Sequence, residues 1–526
     1  MDKANRHFQD TTRRRFLVAS GVAVLSTGLT GRPASARQAG PFVRKSLSDP
    51  QIGPDLASYE KGVAAMLALP PTDPRNWYRV AFIHELDCPH ANWWFLPWHR
   101  GYIGYLECII RDLSGDPNFA LPYWDWTADP GLPVQFASNN TVLNPANSAY
   151  IASSQAFNDA FAGPVQTMYN NFSQAQLALL GTRGQPDAPT FTQQIMSDFF
   201  PGLASRNLNF GAAFQNAVSP SMITSALSPT VFSDTGNPSQ MNFASDPATD
   251  HEQGPGEGIL ESQPHDRTHV SVGGLMGQFL SPVDPIFWMH HSNIDRLWDI
   301  WTRKQQAAGG PILPQGADLT AWNPEPFLFY VDCRGNPASK TTAGDYASTA
   351  LFNYVYTKGS GEGVIPAAGP LRLALHPPVA GTLSRAILDF AQPTTASASV
   401  PATAMRSVGG PAGRELIAKI TLELPAKHAG MQFHVLVNPP ANARNIGFND
   451  PSFAGTIAPF GSHAGAHAMP RTVSFDVPLT GAIAKLRAAG NWDDSKPINI
   501  QVVPDTSGIT AKPFSVPIKS ITLSSI

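Results

Sequence analysis

Residues 261–301 constrain this 526-residue chain more than any other stretch, because they carry four of its fourteen histidines. His265 and His269 are four residues apart, so on a helix they share one face and lie one turn apart. Two imidazoles in that arrangement reach a single metal ion. His290 and His291 follow at the start of a run with apolar residues at helical spacing. This run predicts a helix that buries one face and points a histidine inward.

A second group of histidines, His84, His90 and His99, lies far upstream among aromatic residues and prolines. An HxxxH pair alone is a weak sign, because such pairs also occur on surfaces and in cores. Two separate groups indicate two metal ions. Neutral imidazoles suit copper, zinc, iron or nickel by ligand type. Catalytic zinc normally uses one three-ligand site with a water, so two all-histidine groups favour a copper pair.

Composition bounds the class of protein. The chain is 42% hydrophobic and 14% charged, as in a soluble globular protein large enough for two or three domains. A net charge of -3 provides no broad basic field, so nucleic acid is not an expected partner. Three cysteines cannot all pair within one chain, so we expect no disulfide framework and Cys108 as a small core residue.

The first 36 residues read as a targeting segment. Residues 12–17 form a twin-arginine pattern, residues 17–29 are apolar but too short to span a bilayer, and residues 34–36 are a plausible cleavage site. We therefore expect export by the twin-arginine route, to the periplasm or outside the cell. No later run of eighteen apolar residues exists, so no membrane association is expected after cleavage.

The pattern of apolar residues predicts a mainly α domain at residues 37–358. Helices are expected at residues 54–69, from the N-cap Asp73 to His84, and from His99 to Leu113. Residues 130–258 read as a long elaboration over the core, with weak helices near 175–180 and 191–200, and residues 351–356 as a closing strand.

The period of the pattern changes to two near the end of the chain. Residues 359–411, rich in Gly, Ala, Ser, Thr and Pro, are predicted to be a linker. Short strands are then predicted at 417–424, 432–437, 472–477 and 498–503. Short strands separated by turns indicate a β-sandwich-like domain at residues 412–526.

Two motifs resemble those of a known family. Residues 95–102 (FLPWHRGY), with His90 nine residues before His99, resemble the copper A motif of tyrosinases and polyphenol oxidases. Residues 284–298 (DPIFWMHHSNIDRLW) are similarly close to their copper B motif. The resemblance covers roughly residues 46–356. It is stronger to plant polyphenol oxidases than to short bacterial tyrosinases.

The resemblance implies a four-helix bundle that holds two copper ions and uses O2 as co-substrate. The implied ligands are His84, His90, His99, His265, His269 and His291. Spacing alone does not separate the adjacent histidines, so His290 is the alternative to His291. The implied activity oxidises o-diphenols to o-quinones and also hydroxylates monophenols. A catechol oxidase without monophenolase activity, a haemocyanin-like O2 carrier and a multi-zinc hydrolase are the alternatives.

The resemblance also assigns roles around the centre. Cys88 matches the cysteine that forms a thioether bond, here with His90. Glu261 matches an acidic residue that holds a water, and Asp266 stands where asparagine often accompanies monophenol hydroxylation. If both flank one water, they take the phenolic proton together. Alternatively, Asp266 acts directly as the base or weakens the positioning of that water.

Further expectations concern residues beyond the ligands. Phe279 lies where a gating aromatic sits over copper A in plant members, and Phe287 is expected to pack under the site with a ring contact to substrate. Asp295 is expected to pair with Arg100 or Arg296.

The C-terminal domain is expected to keep the enzyme latent, and an oligomer is possible. His463 and His467 repeat the HxxxH spacing, but Gly465 and Pro470 favour a loop.

Overall fold

The computed structural model describes residues 40–199, 204–237, 241–366, 382–389, 394–398, 405–406, 408–409, 414–426, 430–440, 446–461, 470–505 and 515–525. The predicted targeting segment and the pair His463 and His467 lie outside these residues. No helix in the described ranges is long and apolar enough to cross a membrane. All of these ranges belong to one compact unit, Gln38–Ile526.

Helices dominate the first two thirds of the chain. They are Gly53–Ala68 (α1), Trp77–Asp87 (α2), Phe95–Ser114 (α3), Val134–Ala137 (α4), Ser154–Asn170 (α5), Gln174–Thr182 (α6), Ala188–Asp198 (α7), Ala212–Ala217 (α8), Pro220–Ala226 (α9), Asp266–Val272 (α10), Ile286–Ala308 (α11), Ala317–Trp322 (α12) and Thr480–Ala488 (α13). A π-helical turn, Glu261–His265, leads directly into α10. Six of these helices, α4 to α9, lie in the segment 130–258, where only two weak ones were predicted.

The strands belong to three sheets. They are Phe42–Arg44 (β1), Gly256–Glu257 (β2), Tyr354–Tyr356 (β3), Thr382–Asp389 (β4), Thr394–Ala398 (β5), Leu416–Leu424 (β6), Phe433–Val437 (β7), Phe453–Ile457 (β8), Arg471–Pro478 (β9), Ile498–Pro504 (β10) and Ser515–Ser525 (β11). β1 pairs with β3 in parallel, and the larger sheets have the orders β5-β10-β7-β8 and β2-β9-β6-β11-β4.

The helical core forms where α3 packs against both α1 and α11. Gly62 allows the close approach of α1 to α3, because a Cβ there would lie 2.6 Å from the side chain of Ile110. α3 begins at Phe95, four residues before the predicted start at His99, and ends at Ser114, where Gly115 follows as the C-cap with φ 71°. α2 begins after the N-cap Asn76, whose side chain accepts hydrogen bonds from two backbone N–H groups, so the predicted cap Asp73 was wrong.

The β-sandwich-like domain is confirmed, with one apolar core between its two large sheets. Two of its strands, β4 and β5, lie inside the segment predicted as a linker, and they pair with β11 and β10. The linker prediction was wrong for these two strands. It rested on the absence of strictly alternating apolar residues, and strands can pair without that alternation. β2, from the α part of the chain, pairs in parallel with β9 of the sandwich.

Cys108 forms a disulfide with Cys333, with Cα atoms 5.1 Å apart. The prediction that Cys108 is an unpaired core residue was therefore wrong. The two residues are separated by 225 positions in sequence, so nothing local indicated the pairing. Cys88 is the free cysteine of the described part of the chain.

A buried ion cluster connects α3 and α11 to the small sheet β1–β3. Asp295 accepts hydrogen bonds from Arg100 Nε at 2.6 Å and from the hydroxyls of Tyr354 and Tyr356. Arg44 is fully buried beside the same carboxylate. The predicted pairing of Asp295 with Arg100 is confirmed. Burial opposes ionisation, but Arg100 and Arg44 hold the pKa of Asp295 below its ordinary value.

We predict that Asp295→Asn lowers the free energy of unfolding by about 3–5 kcal/mol, because it leaves two buried guanidinium groups without their shared counterion. Asp299→Asn, four residues later on α11, removes a partner of the partly exposed Arg303 and should cost less than about 1 kcal/mol. Urea denaturation of both variants measures the difference. Equal destabilisation of the two variants would contradict this role of Asp295.

Candidate metal centre

The structure brings the predicted histidines together in two buried clusters. The first cluster consists of His84, Cys88, His90 and His99, and the second of His265, His269, His290 and His291. Within each cluster the candidate ligand atoms all lie within 4.8 Å of one another. The clusters adjoin, since the rings of His99 and His291 stack with centroids 4.0 Å apart.

Four helical segments and one loop supply these side chains. His84 lies on α2 and His99 on α3, whereas His90 lies on the loop between those helices. His265 ends the π-helical turn and His269 lies on α10, which continues that turn, so both residues lie on one helical segment. His290 and His291 lie in the first turns of α11.

Backbone carbonyl groups orient three of the histidines. The Nδ1 atoms of His84, His99 and His269 lie 2.6, 2.8 and 2.6 Å from the carbonyl oxygens of Phe279, Phe95 and Met276. A neutral imidazole that donates from Nδ1 has its lone pair on Nε2. The carbonyl groups therefore direct three lone pairs into the centre, as partners of metal-binding histidines commonly do.

The unpaired nitrogen atoms fit a bound cation. His269 Nε2 lies 3.3 Å from His291 Nε2. His269 cannot donate a hydrogen bond across this contact, because it carries its proton on Nδ1. His84 Nε2 and His265 Nε2 are buried and make no hydrogen bond within the described residues. Buried polar atoms without partners are costly, and a metal ion shared among these lone pairs removes that cost.

The contacts of His290 favour His291 as the ligand. The indole N–H of Trp126 donates to His290 Nδ1 at 3.1 Å. A neutral histidine that accepts at Nδ1 carries its proton on Nε2 and has no second lone pair for a metal. The sequence left this choice open, because it does not show which ring nitrogen Trp126 reaches.

Burial keeps the imidazoles neutral. It lowers the pKa of His99 and of His269 to about 3, and their backbone hydrogen bonds offset this only in part. Burial and the neighbouring imidazoles also lower the pKa of His84, His90 and His291. Metal ligation requires deprotonated imidazole nitrogen, so the site is in the binding form at neutral pH.

Cys88 lies at the first cluster. Its sulfur is 3.7 Å from His90 Nε2 and 3.4 Å from His99 Nε2. Burial raises the pKa of the thiol. The thioether bond between Cys88 and His90 stays a prediction, with the sulfur within van der Waals reach of the ring.

The two predicted acidic residues are engaged by protein donors. Glu261 Oε1 accepts from the backbone N–H of Ala91 at 2.7 Å, and Oε2 accepts from the Ser245 hydroxyl. Asp266 Oδ1 accepts from His265 Nδ1 at 2.8 Å. Burial raises the pKa of both carboxyl groups. The hypothesis that they flank a shared water stays a prediction.

Three phenylalanines cover the centre, of which the sequence indicated two. The ring centroid of Phe279 lies 5.6 Å from that of His90, and Phe287 lies 4.2 Å from His291. Phe460 comes from the β-sandwich, just after β8, and its ring lies 4.1 Å from His269. This contact could not be predicted from the sequence, because it joins positions in different domains.

The backbone around Phe460 is adapted to this approach. Gly461 has φ +69°, and a Cβ there would lie 2.6 Å from the ring of Phe279. Phe460 also contacts His90, with ring centroids 5.1 Å apart. A residue of the C-terminal domain thus covers both histidine clusters.

Comparisons with known proteins agree with this geometry. Residues 74–304 match the family described as the common central domain of tyrosinase. The tyrosinase HcTyr1 of Hahella sp. (strain CCB-MM4) is 26% identical over 431 residues, covering 80% of each chain. The polyphenol oxidase II of Ipomoea batatas is 29% identical over 329 residues, covering 57% of this chain but 47% of the relative. This chain thus spans about half the length of that plant relative.

Solved structures share the two-part fold. Latent apple tyrosinase superposes with a TM-score of 0.55 at 20% identity, covering 94% of this chain and 98% of that chain. A latent aurone synthase gives a TM-score of 0.56 at 19% identity, covering 93% and 90%. A helical core with two adjoining histidine clusters and a C-terminal β-sandwich defines the class of protein. Residues 74–304 thus form a tyrosinase-type central domain, and the chain has homologues among bacterial tyrosinases and plant polyphenol oxidases.

An ion network lies behind the first cluster. Asp87, the residue before Cys88, accepts from Trp98 Nε1 at 2.9 Å and from Arg183 at 2.6 Å. The fully buried His251 bridges Asp87 at 3.1 Å and Glu325 at 2.7 Å. His251 therefore has a structural role. Burial opposes its protonation, but the two carboxylates outweigh burial and raise its pKa to about 9.

We predict that His251 makes stability pH-dependent in the alkaline range. Its pKa is raised in the folded state, so its contribution is complete below the unfolded pKa near 6.5 and is lost as pH rises through about 9. The loss amounts to about 3 kcal/mol. Urea denaturation at pH 6 to 10 should show this slope, and His251→Gln should flatten it. An unchanged slope in the variant would contradict this assignment.

Proposed function

We propose that this chain is an exported dicopper phenol oxidase. It oxidises o-diphenols to o-quinones with O2 and also hydroxylates monophenols. The observation that carries the proposal is the pair of adjoining clusters of buried, neutral histidines with inward lone pairs. Export by the twin-arginine route rests on the sequence pattern of residues 12–36.

The donor set suits a copper pair. His84, His90 and His99 would hold one ion, and His265, His269 and His291 the other. An all-imidazole set without carboxylate ligands is compatible with copper, and two three-histidine sites differ from the usual catalytic zinc site. Bound copper supplies the O2 chemistry that no side chain provides.

The surrounding residues have separate tasks in this proposal. Phe279 and Phe287 provide the apolar walls that hold the substrate ring and exclude water. Asp266 is the proposed acceptor of the phenolic proton, with Glu261 nearby. Asp266 Oδ1 is bound to His265, and the same buried carboxyl group also interacts with Glu257 and with the backbone N–H of Phe460. A proton taken at Oδ2 would leave the bond to the metal ligand in place.

A catechol oxidase is the second candidate. Both oxygens of Glu261 are occupied by Ala91 and Ser245, and Asp266 is bound to His265. If these contacts persist with substrate bound, Glu261 has no free oxygen for the proton of a monophenol, and hydroxylation would depend on Asp266 Oδ2 alone. An o-diphenol is the easier substrate, because its oxidation needs no hydroxylation step.

The proposed activity is tested by copper analysis together with O2 uptake on a matched monophenol and o-diphenol. We expect two copper ions per chain, quinone formation from both substrates, and at least a 100-fold loss of activity in His291→Ala, because removal of a metal ligand disables the pair. His434→Ala, on β7 of the sandwich, is the matched control and should retain activity.

Each alternative has its own outcome in this experiment. Quinone from the diphenol alone would identify a catechol oxidase. Reversible O2 binding without quinone would identify a carrier, and zinc in place of copper would identify a hydrolase. Full activity in His291→Ala would overturn the assignment of the centre.

Latency is the second proposal, and Phe460 supports it. Its ring lies 4.1 Å from His269 and 5.7 Å from Phe279, in the space where a phenol would approach the centre. Two solved structures with this fold are named as latent enzymes. We propose that the β-sandwich lowers the activity of the enzyme by holding Phe460 in the substrate position.

We predict that Phe460→Ala raises kcat/KM for a small o-diphenol at least tenfold, because truncation opens the path to the centre. Phe448→Ala, in a small aromatic cluster of the same domain, is the matched control and should leave kcat/KM unchanged. Steady-state O2 uptake measures both. If Phe460→Ala is no more active than the wild type, the ring does not block the substrate.

A further inference from the structure

His90 is held differently from His84, His99 and His269, and unlike His291, whose Nδ1 also makes no hydrogen bond among the described residues, it lies outside any helix. His84, His99 and His269 each bond a backbone carbonyl through Nδ1, whereas His90 Nδ1 is buried and makes no hydrogen bond within the described residues. His90 also lies outside any helix. Its position therefore depends on the path of its own backbone.

That path is unusual at the next residue. Ala91 has φ 58°, in the left-handed region, and the other non-glycine residues of the described ranges in this region are both asparagines. Alanine has no side-chain hydrogen bond to favour this conformation, so contacts elsewhere must maintain it. The backbone N–H of Ala91 donates to Glu261 Oε1 at 2.7 Å.

Glu261 is held in turn. Ser245 donates its hydroxyl proton to Glu261 Oε2 and accepts from the backbone N–H of Gly258 at 3.1 Å. Both side chains are buried, with exposed fractions of 1% and 2%. The carboxyl group of Glu261 thus connects the turn after His90 to the segment that precedes His265.

Gly254 and Gly256 contact the same turn through the backbone, on the side of its carbonyl groups. The N–H of Gly256 donates to the carbonyl oxygen of Ala91 at 3.0 Å. Gly254 lies so close that a Cβ there would be 2.4 Å from the carbonyl oxygen of His90. These contacts fix the carbonyl groups of the turn, and Glu261 fixes its N–H.

We infer that Glu261 and Ser245 are positioning residues for His90, and that they connect the ligand geometry of the first cluster to the helical segment of the second. Glu261 acts through the backbone of Ala91, and it serves equally well as a carboxylate or as a carboxylic acid, because either form accepts from an N–H group. This inference rests on the proposed function only in that the clusters hold copper.

The test is copper titration of the full-length protein against a competing chelator, with unfolding of the copper-free protein measured in parallel. The wild type should bind two copper ions. Glu261→Ala should weaken one of the two by about 10- to 100-fold, the usual effect of removing a partner that orients a ligand. Glu261→Gln should bind as the wild type does, because its amide oxygen still accepts from Ala91 and its amide nitrogen still reaches Ser245.

A second background locates the weakened site. In His269→Ala the second cluster is disabled, so the remaining copper reports on the first cluster, and Glu261→Ala should still weaken it there. If Glu261→Ala does not fold, Ser245→Ala removes one of the two hydrogen bonds and should give a smaller loss in the same direction.

The outcomes separate this inference from the proposed function. Two copper ions bound with wild-type affinity in Glu261→Ala would overturn the positioning role alone. Equal losses in Glu261→Gln and Glu261→Ala would also overturn it, because the charge and not the hydrogen bonds would then be required. A wild type that binds no copper would contradict both proposals.

Discussion

The structure depends on a group of neutral imidazoles kept away from water. Each buried nitrogen without a partner costs about 1–3 kcal/mol, and four such atoms belong to predicted ligands: His84 Nε2, His90 Nδ1, His265 Nε2 and His291 Nδ1. Their pKa values are lowered by burial, so protonation does not relieve the cost at neutral pH. The aromatic core, the buried ion clusters and the carbonyl contacts together maintain an arrangement in which a bound cation would satisfy the inward lone pairs.

Buried ion clusters around the centre stabilise the segments that carry the predicted ligands. Asp295, four residues after His291, holds Arg100, the residue after His99. Asp87, the residue before Cys88, is held by Arg183 and His251. Each of these two buried ion clusters lies one residue or one helical turn from a predicted metal ligand. Breaking either one therefore costs stability and also shifts the backbone that carries the metal site.

The β-sandwich is integrated with the metal centre as well as covering it. β2 pairs with β9, and Lys419 on β6 binds both carboxylate oxygens of Asp246 at 2.7 Å. Ser262, in the π-helical turn before His265, donates to the backbone oxygen of Asp476 on β9. Removing the whole domain would expose this seam beside the second histidine cluster. Replacing Phe460 alone opens the centre without disturbing those contacts, so it is the cleaner test of latency.

The sequence predicted the parts of this arrangement that are local. Histidine spacing and the long motifs around His99 and His291 indicated both clusters, because short-range spacing on helices is visible in a sequence. Period-two patterns indicated the sandwich and four of its strands. The disulfide of Cys108 and the strand β4 were missed, because each depends on a partner distant in the chain.

Phe460 and the contacts of Glu261 show a second kind of feature that could not be predicted from the sequence. A sequence indicates which side chain is acidic, but it does not indicate which donors that side chain meets. Glu261 matched a residue that holds a water, and here its oxygens meet Ala91 and Ser245. His90 is the ligand with the least local support, and it is followed by the strained turn at Ala91. The helical ligands have the path of their helix, and three of them also have a backbone carbonyl group at Nδ1. The loop ligand His90 has neither, which explains why a carboxyl group from the segment before the second cluster is used at the first.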